Sequence, residues 1–159
     1  RALKDDRLPQ FNATERAAFA ELALSGLLDS QPADRGASSP LTREAFYIPG
    51  SVLRVGVDNT TPLAYGFETQ VDVMFDNSPV FALSPAGTAR RVAWFADQAP
   101  LRSGWAWGQH HLRAGTAIVD ATVGRGRVLL FGPEVVFRAQ AHGTFKFLFN
   151  GIVQAGAKE

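Results

Sequence analysis

Val123–Asn150 reads VGRGRVLLFGPEVVFRAQAHGTFKFLFN. Gly124 and Gly126 flank Arg125 with apolar residues on both sides, a short-loop hairpin signal. After Arg127 the run is continuously apolar to Phe131, which predicts a strand in the centre of a sheet. His142 opens a predicted helix whose core-facing stripe is Phe145, Leu148, Phe149 and Ile152. Between strand and helix lies an elbow, Phe137 to Thr144, too polar for simple core.

Working outward, Thr116 to Val123 supplies the first strand of the hairpin. Leu53, Val55 and Val57 alternate with Arg54 and Gly56, predicting a half-buried strand over Val52–Val57. Thr61-Pro62 starts a short turn or helix through Tyr65, because Pro suits a first helical position. Val71–Phe75 and Val80–Leu83 read as short strands around an Asp76–Pro79 turn, and Arg91–Phe95 as another strand. Trp94 in that strand is expected to pack in the core. Residues 1–40 read as a charged lead-in, a helix capped at Asn12 or Thr14 and running to Leu28, and a Pro/Ser-containing flexible loop. Residues 41–159 form the predicted α/β domain, a layered fold with a mixed sheet.

Composition narrows the function classes. The chain has 159 residues, with 16 basic and 15 acidic side chains, so it can bury a core and carries almost no net charge. The basic residues are scattered, which argues against nucleic acid as partner. No apolar run is long enough for a membrane span. There is no cysteine, which removes disulfides, thiolate metal sites and cysteine nucleophiles. The first residue is Arg1, which suggests a piece of a longer precursor.

Phe46-Tyr47-Ile48-Pro49-Gly50-Ser51, Val57-Asp58-Asn59-Thr60-Thr61-Pro62-Leu63-Ala64-Tyr65-Gly66, Ser103-Gly104-Trp105-Ala106-Trp107-Gly108 and the Val123–Asn150 stretch together resemble one family. It is the type-1 glutamine amidotransferase-like domain appended to bacterial secreted zinc carboxypeptidases of the carboxypeptidase A-like class. The resemblance runs from about Leu41 to Val153. It implies a flavodoxin-like fold, parallel strands first and antiparallel additions later, and a secreted or periplasmic bacterial setting. The chain departs from that pattern in lacking the early strand–helix units and their Gly-Gly turn, so it corresponds to the C-terminal portion, a partial flavodoxin-like fold with a β-hairpin and a closing helix: either the back portion of a split domain, or a domain whose missing part belongs to another chain.

The chemistry expected of that family's ancestors is missing here. Amidotransfer needs a cysteine nucleophile, and a serine substitute on a Gly-x-Ser-x-Gly elbow does not occur. The His-Glu-x-x-His and His-x-x-Glu zinc patterns are also missing, and adjacent His110 and His111 point apart in regular structure. No pair of carboxylates is singled out for glycoside chemistry. Neither catalytic residues, metal ligands nor a cofactor are therefore expected.

Two groups remain as candidate ligand contacts. Arg138, Gln140, His142 and Thr144 could hold an anion at a helix start, or serve to satisfy that start's unpaired backbone groups; the structural role is favoured. Glu134 is placed to pair with Arg138. Trp105 and Trp107 can stack on a sugar or pack in the core, and packing is favoured. The expectation is a non-catalytic accessory domain that supports or targets a peptidase domain of the parent chain, or mediates assembly. The alternative is a carbohydrate- or peptide-binding module built on Trp105, Trp107 and the Arg138–His142 elbow. The missing front of the fold predicts unpaired strand edges at Val52–Val57 and Val71–Phe75, and hence a homo-oligomer.

Overall fold

The computed structural model describes residues 44–83 and 88–156; the helix expected over Thr14–Leu28 and the loop after it lie outside them. Six strands form one sheet: β1 (Ser51–Val57), β2 (Gln70–Phe75), β3 (Ala89–Trp94), β4 (Leu101–Ser103), β5 (Thr116–Val123) and β6 (Gly126–Phe131). Their order is β2-β1-β3-β5-β6, with β4 pairing β1 beside β3. One helix of regular α geometry, α1 (Phe145–Gly156), closes the described fold.

Every strand pairing is antiparallel, so the expected mixed sheet is not what the described residues form. The reason is local. Among the described residues only two short 3-10 turns, Pro62–Ala64 and Gln109–Leu112, stand between these strands, too short to carry the chain across for a parallel return. The combination of this sheet with a C-terminal helix gives the α and β content that the sequence predicts.

β1 lies inside the sheet, because Leu53, Val55 and Val57 face the core while both of its edges are taken by neighbours. The expectation that Val52–Val57 is an open edge is therefore wrong. β2 is an edge strand, as predicted for Val71–Phe75. Its outward carbonyl at Met74 accepts the Glu134 N–H at 2.9 Å, which blunts that edge. Val80–Leu83 is not a strand; Phe81 alone pairs with Thr116 as an isolated bridge. The Asn77 turn (φ 44°) holds the chain back against Ile48 through bonds of 2.8 and 3.0 Å, and Phe81 then packs over the hairpin.

The hairpin forms as read, with Val123 opposite Gly126 and Gly124 at φ 58°, the left-handed conformation a primed turn needs at its first position. β6, however, is the last strand of the sheet and not a central one. Its apolar run has a different cause. Leu129 and Phe131 face the main core, while Val128 and Leu130 face a second cluster around Phe81, Val119 and Ala121. Both faces of Val128–Phe131 are partly covered.

α1 is rotated relative to the predicted stripe. Phe147 and Gly151 are buried, whereas Phe149 and Ile152 are 59% and 60% exposed. Three contacts impose the rotation. The Phe147 ring stacks on Phe67 with centroids 4.0 Å apart. Asn150 Nδ2 donates to Leu63 O and Tyr65 O at 3.0 and 2.9 Å, and Lys146 Nζ to Gly66 O at 2.7 Å. Gly151 lets the helix lie close on β6; a Cβ there would come within 2.8 Å of Leu129 Cδ1. Polar tethers and a glycine contact outweigh the apolar count of the other face.

Candidate functional site

Trp105 and Trp107 lie two residues apart just after β4, and their side chains leave the same side. Their rings are within 15° of parallel, with centroids 6.4 Å apart, and Tyr47 meets Trp105 edge-on at 6.0 Å. They are 55% and 53% exposed, so the expectation that they pack in the core is not met. Backbone geometry fixes them. Tyr47 and Trp107 exchange backbone hydrogen bonds of 3.0 Å. The buried Ser51 hydroxyl accepts the Trp105 N–H at 2.9 Å and lies 2.7 Å from Trp105 O and 2.8 Å from Pro49 O, as a donor. Trp107 Nε1 donates to Glu44 O at 2.6 Å. Gly104 (φ 98°) and Gly108 (φ 73°) take conformations that other residues resist.

Trp94 is half-buried and joins neither core cluster, so the expected core position is not met; its ring covers Gly56, whose absent Cβ would sit 3.0 Å from Trp94 Cε2, and the exposed Arg91 lies 4.6 Å over the ring.

The elbow residues do not converge. Val136–Thr144 makes two 3-10 turns, and Arg138 and Ala139 both have positive φ (44° and 54°). Arg138 is exposed, with its guanidinium 5.0 Å over the Phe137 ring, and no ion pair joins it to Glu134 among the described residues. His142 turns back on itself, Nε2 lying 2.9 Å from Ala139 O. Thr144 is fully buried; its hydroxyl lies 2.5 Å from Val135 O and 2.8 Å from Ala141 O. It pins the start of α1 and stands beyond reach of a ligand. Gln140 lines a cleft.

That cleft, about 220 Å³, runs between the elbow and the outer face of β1 and β2, lined by Val52, Asp72, Met74, Phe137, Gln140 and Ala141. Asp72 takes a two-pronged ion pair from Arg54 (2.7 and 3.0 Å), which raises the Arg54 pKa, and Arg102 stands 3.9 Å away. The sequence could not supply this grouping. It depends on the β1–β2 register that sets Arg54 opposite Asp72 and Val52 opposite Met74.

A shallower hollow of about 460 Å³ lies between the Asn59–Tyr65 loop and α1. Asp58 anchors that loop, accepting from Thr60 Oγ1 at 2.6 Å and Thr60 N–H at 3.1 Å; these bonds hold its carboxyl below the usual carboxylate range. The His110 and His111 rings lie 4.1 Å apart on a 3-10 turn. Among the described residues no three His, Cys, Asp or Glu side chains gather as a metal site requires, and no helix is long and apolar enough to cross a membrane.

The antiparallel sheet, its closing helix and the paired indoles place the chain among α and β proteins with a solvent-facing aromatic platform. Comparison with protein-family models, curated proteins and solved structures found no match for this chain.

Proposed function

We propose that this chain is the C-terminal portion of a flavodoxin-like, amidotransferase-related accessory domain of a bacterial exported zinc carboxypeptidase-like protein. It has no catalysis of its own, and it supports or targets the peptidase domain or mediates assembly. One observation carries the reading beyond the motifs. The segments that resemble the family, far apart in sequence, are tied to one another. Phe46–Ser51 meets Ser103–Gly108 through the Tyr47–Trp107 bridge and the Ser51 hydroxyl, and Val57–Gly66 is held by Asn150 and Lys146 of the final stretch. Residues that carry a resemblance and also hold each other in place are what a shared architecture requires. The test is an assay of the purified chain on peptide, ester and glutamine substrates, with a search of the coding region upstream of Arg1 for a His-x-x-Glu peptidase domain. Inactivity together with such a domain is expected. Hydrolysis abolished by Arg138→Ala or His142→Ala overturns the proposal.

A second reading is favoured by the exposure of Trp105 and Trp107: a module that stacks a sugar ring or an aromatic peptide side chain on this platform. Titrating tryptophan fluorescence with cell-wall oligosaccharides and peptides tests it. A saturable change lost in Trp105→Ala supports binding; no response at millimolar ligand removes it.

A further inference from the structure

The hollow of about 460 Å³ between the Asn59–Tyr65 loop and α1 has a lining of one chemical kind. Its polar side chains are amides and hydroxyls, Asn59, Thr60, Asn150 and Gln154 among them, with Tyr65 and Val153 alongside. Among the described residues no charged side chain lines it. Its walls are fixed by the chain's own bonds. Asp58 holds Thr60 through hydroxyl and N–H, and Thr61 Oγ1 donates to Asp58 O at 2.9 Å. Asn150 Nδ2 is committed to Leu63 O and Tyr65 O, and Asn59 Nδ2 to Phe67 O at 3.3 Å. Both amide oxygens are left without a partner among the described residues. Gln154 stands out further: its amide oxygen and nitrogen are both shielded from water, and neither has a hydrogen-bond partner. A buried amide in that state lowers stability and calls for a reason. Turning it towards the hollow breaks no bond. On the opposite wall Tyr65, at 79%, is the most exposed large hydrophobic side chain among the described residues.

We infer that this hollow binds a neutral sugar, with the ring's C–H face on Tyr65 and Val153 and its hydroxyls on the Asn59, Asn150 and Gln154 amides. The lining selects this class. An anion would meet unpartnered oxygens and no cation, and a cation would leave water for a wall that offers no carboxylate. An apolar ligand would cover the amides and leave them unsatisfied. Sugar hydroxyls donate to the two amide oxygens and both donate to and accept from Gln154, while the C–H face lies against an aromatic ring. The volume falls in the range of ordinary small-molecule sites. The site is separate from the indole platform and needs neither indole. Trp105 is tied to Ser51 at the start of β1, and the Asn59–Tyr65 loop follows its other end, seven strand residues or about 20 Å away.

NMR of the isotopically labelled full chain resolves the side-chain amides of Asn59, Asn150 and Gln154 and tests this. The probes are glucose, N-acetylglucosamine, cellobiose and chitobiose at tens of millimolar, with glucosamine, glucuronate and a capped alanine peptide beside them. At least one neutral sugar should give saturable shifts at these amides, with binding about tenfold weaker or more in Tyr65→Ala and in Gln154→Leu. Gln154→Leu should also keep or raise the urea midpoint of the free chain, since it removes an unsatisfied amide. An amide with a purely structural role would instead lower it. Trp105→Ala should leave the response at the hollow unchanged, which separates this site from the platform. No shift with any neutral sugar, shifts confined to the indoles, or a stronger response to the charged sugars or the peptide overturns the proposal. So does a response untouched by either hollow variant, or a lowered Gln154→Leu midpoint.

Discussion

Gly108 approaches Ala45 so closely that a Cβ on Gly108 would lie 2.2 Å from the Ala45 carbonyl oxygen. The contact brings the chain after β4 against the Tyr47 segment and so sets the paired indoles in place. Its φ of 73° adds a second reason for glycine.

Gly108→Ala should therefore cost about 1–3 kcal/mol, since the obstacle is backbone and the conformation is strained for alanine. Urea unfolding followed by tryptophan fluorescence measures it. An unchanged midpoint would mean that the Tyr47 and Trp107 segments do not depend on this approach.

α1 provides a paired test. Phe147→Ala removes a fully buried ring stacked on Phe67 and should cost about 3–5 kcal/mol. Phe149→Ala, on the exposed side, should change stability by less than about 0.5 kcal/mol. The reverse ranking in denaturant midpoints would place the sheet-facing side of the helix where the apolar count alone puts it.

Thr144→Val keeps the shape of the side chain and removes its hydroxyl from Val135 O and Ala141 O. A loss of about 1–3 kcal/mol is expected for a buried acceptor left without its partner. Hydrogen exchange should also quicken at the first turn of α1. A neutral effect on both would assign the elbow's geometry to its other contacts.

Acid should loosen the loop after β1. The Asp58 carboxyl is held low by the Thr60 hydroxyl and N–H, so the folded state favours its ionised form. That contribution is fully present above the ordinary carboxylate range and is lost as pH falls through the folded-state value. Asp58→Asn retains an acceptor but does not titrate. Its urea midpoint should fall less than the parent's between neutral and strongly acidic pH; equal falls would refute the linkage.

The sequence by itself determined the local elements whose signals are short-range. The Gly124–Arg125 loop, the Leu53–Val55–Val57 alternation and Pro62 at a helical first position act through the backbone within a few residues, and each produces the element expected. It also determined that no cysteine chemistry is available. The tertiary structure alone decided the lateral place of β6, the rotation of α1 and the exposure of the indoles. An apolar run reports that both faces of a strand meet apolar neighbours and is silent about its lateral place, as the partly covered β6 at the end of the sheet demonstrates. The stripe of α1 was outweighed by Asn150 and Lys146, whose carbonyl partners in the Leu63–Gly66 loop lie some eighty residues away in the chain. The candidate site divides in the same way. Trp105 and Trp107 were legible as a pair from their spacing, whereas Thr144 and His142 were claimed by carbonyls of their own elbow. The Asp72 cleft arises only when register sets β1 beside β2 and the elbow folds over both, because its polar groups come from strands whose pairing no local signal specifies.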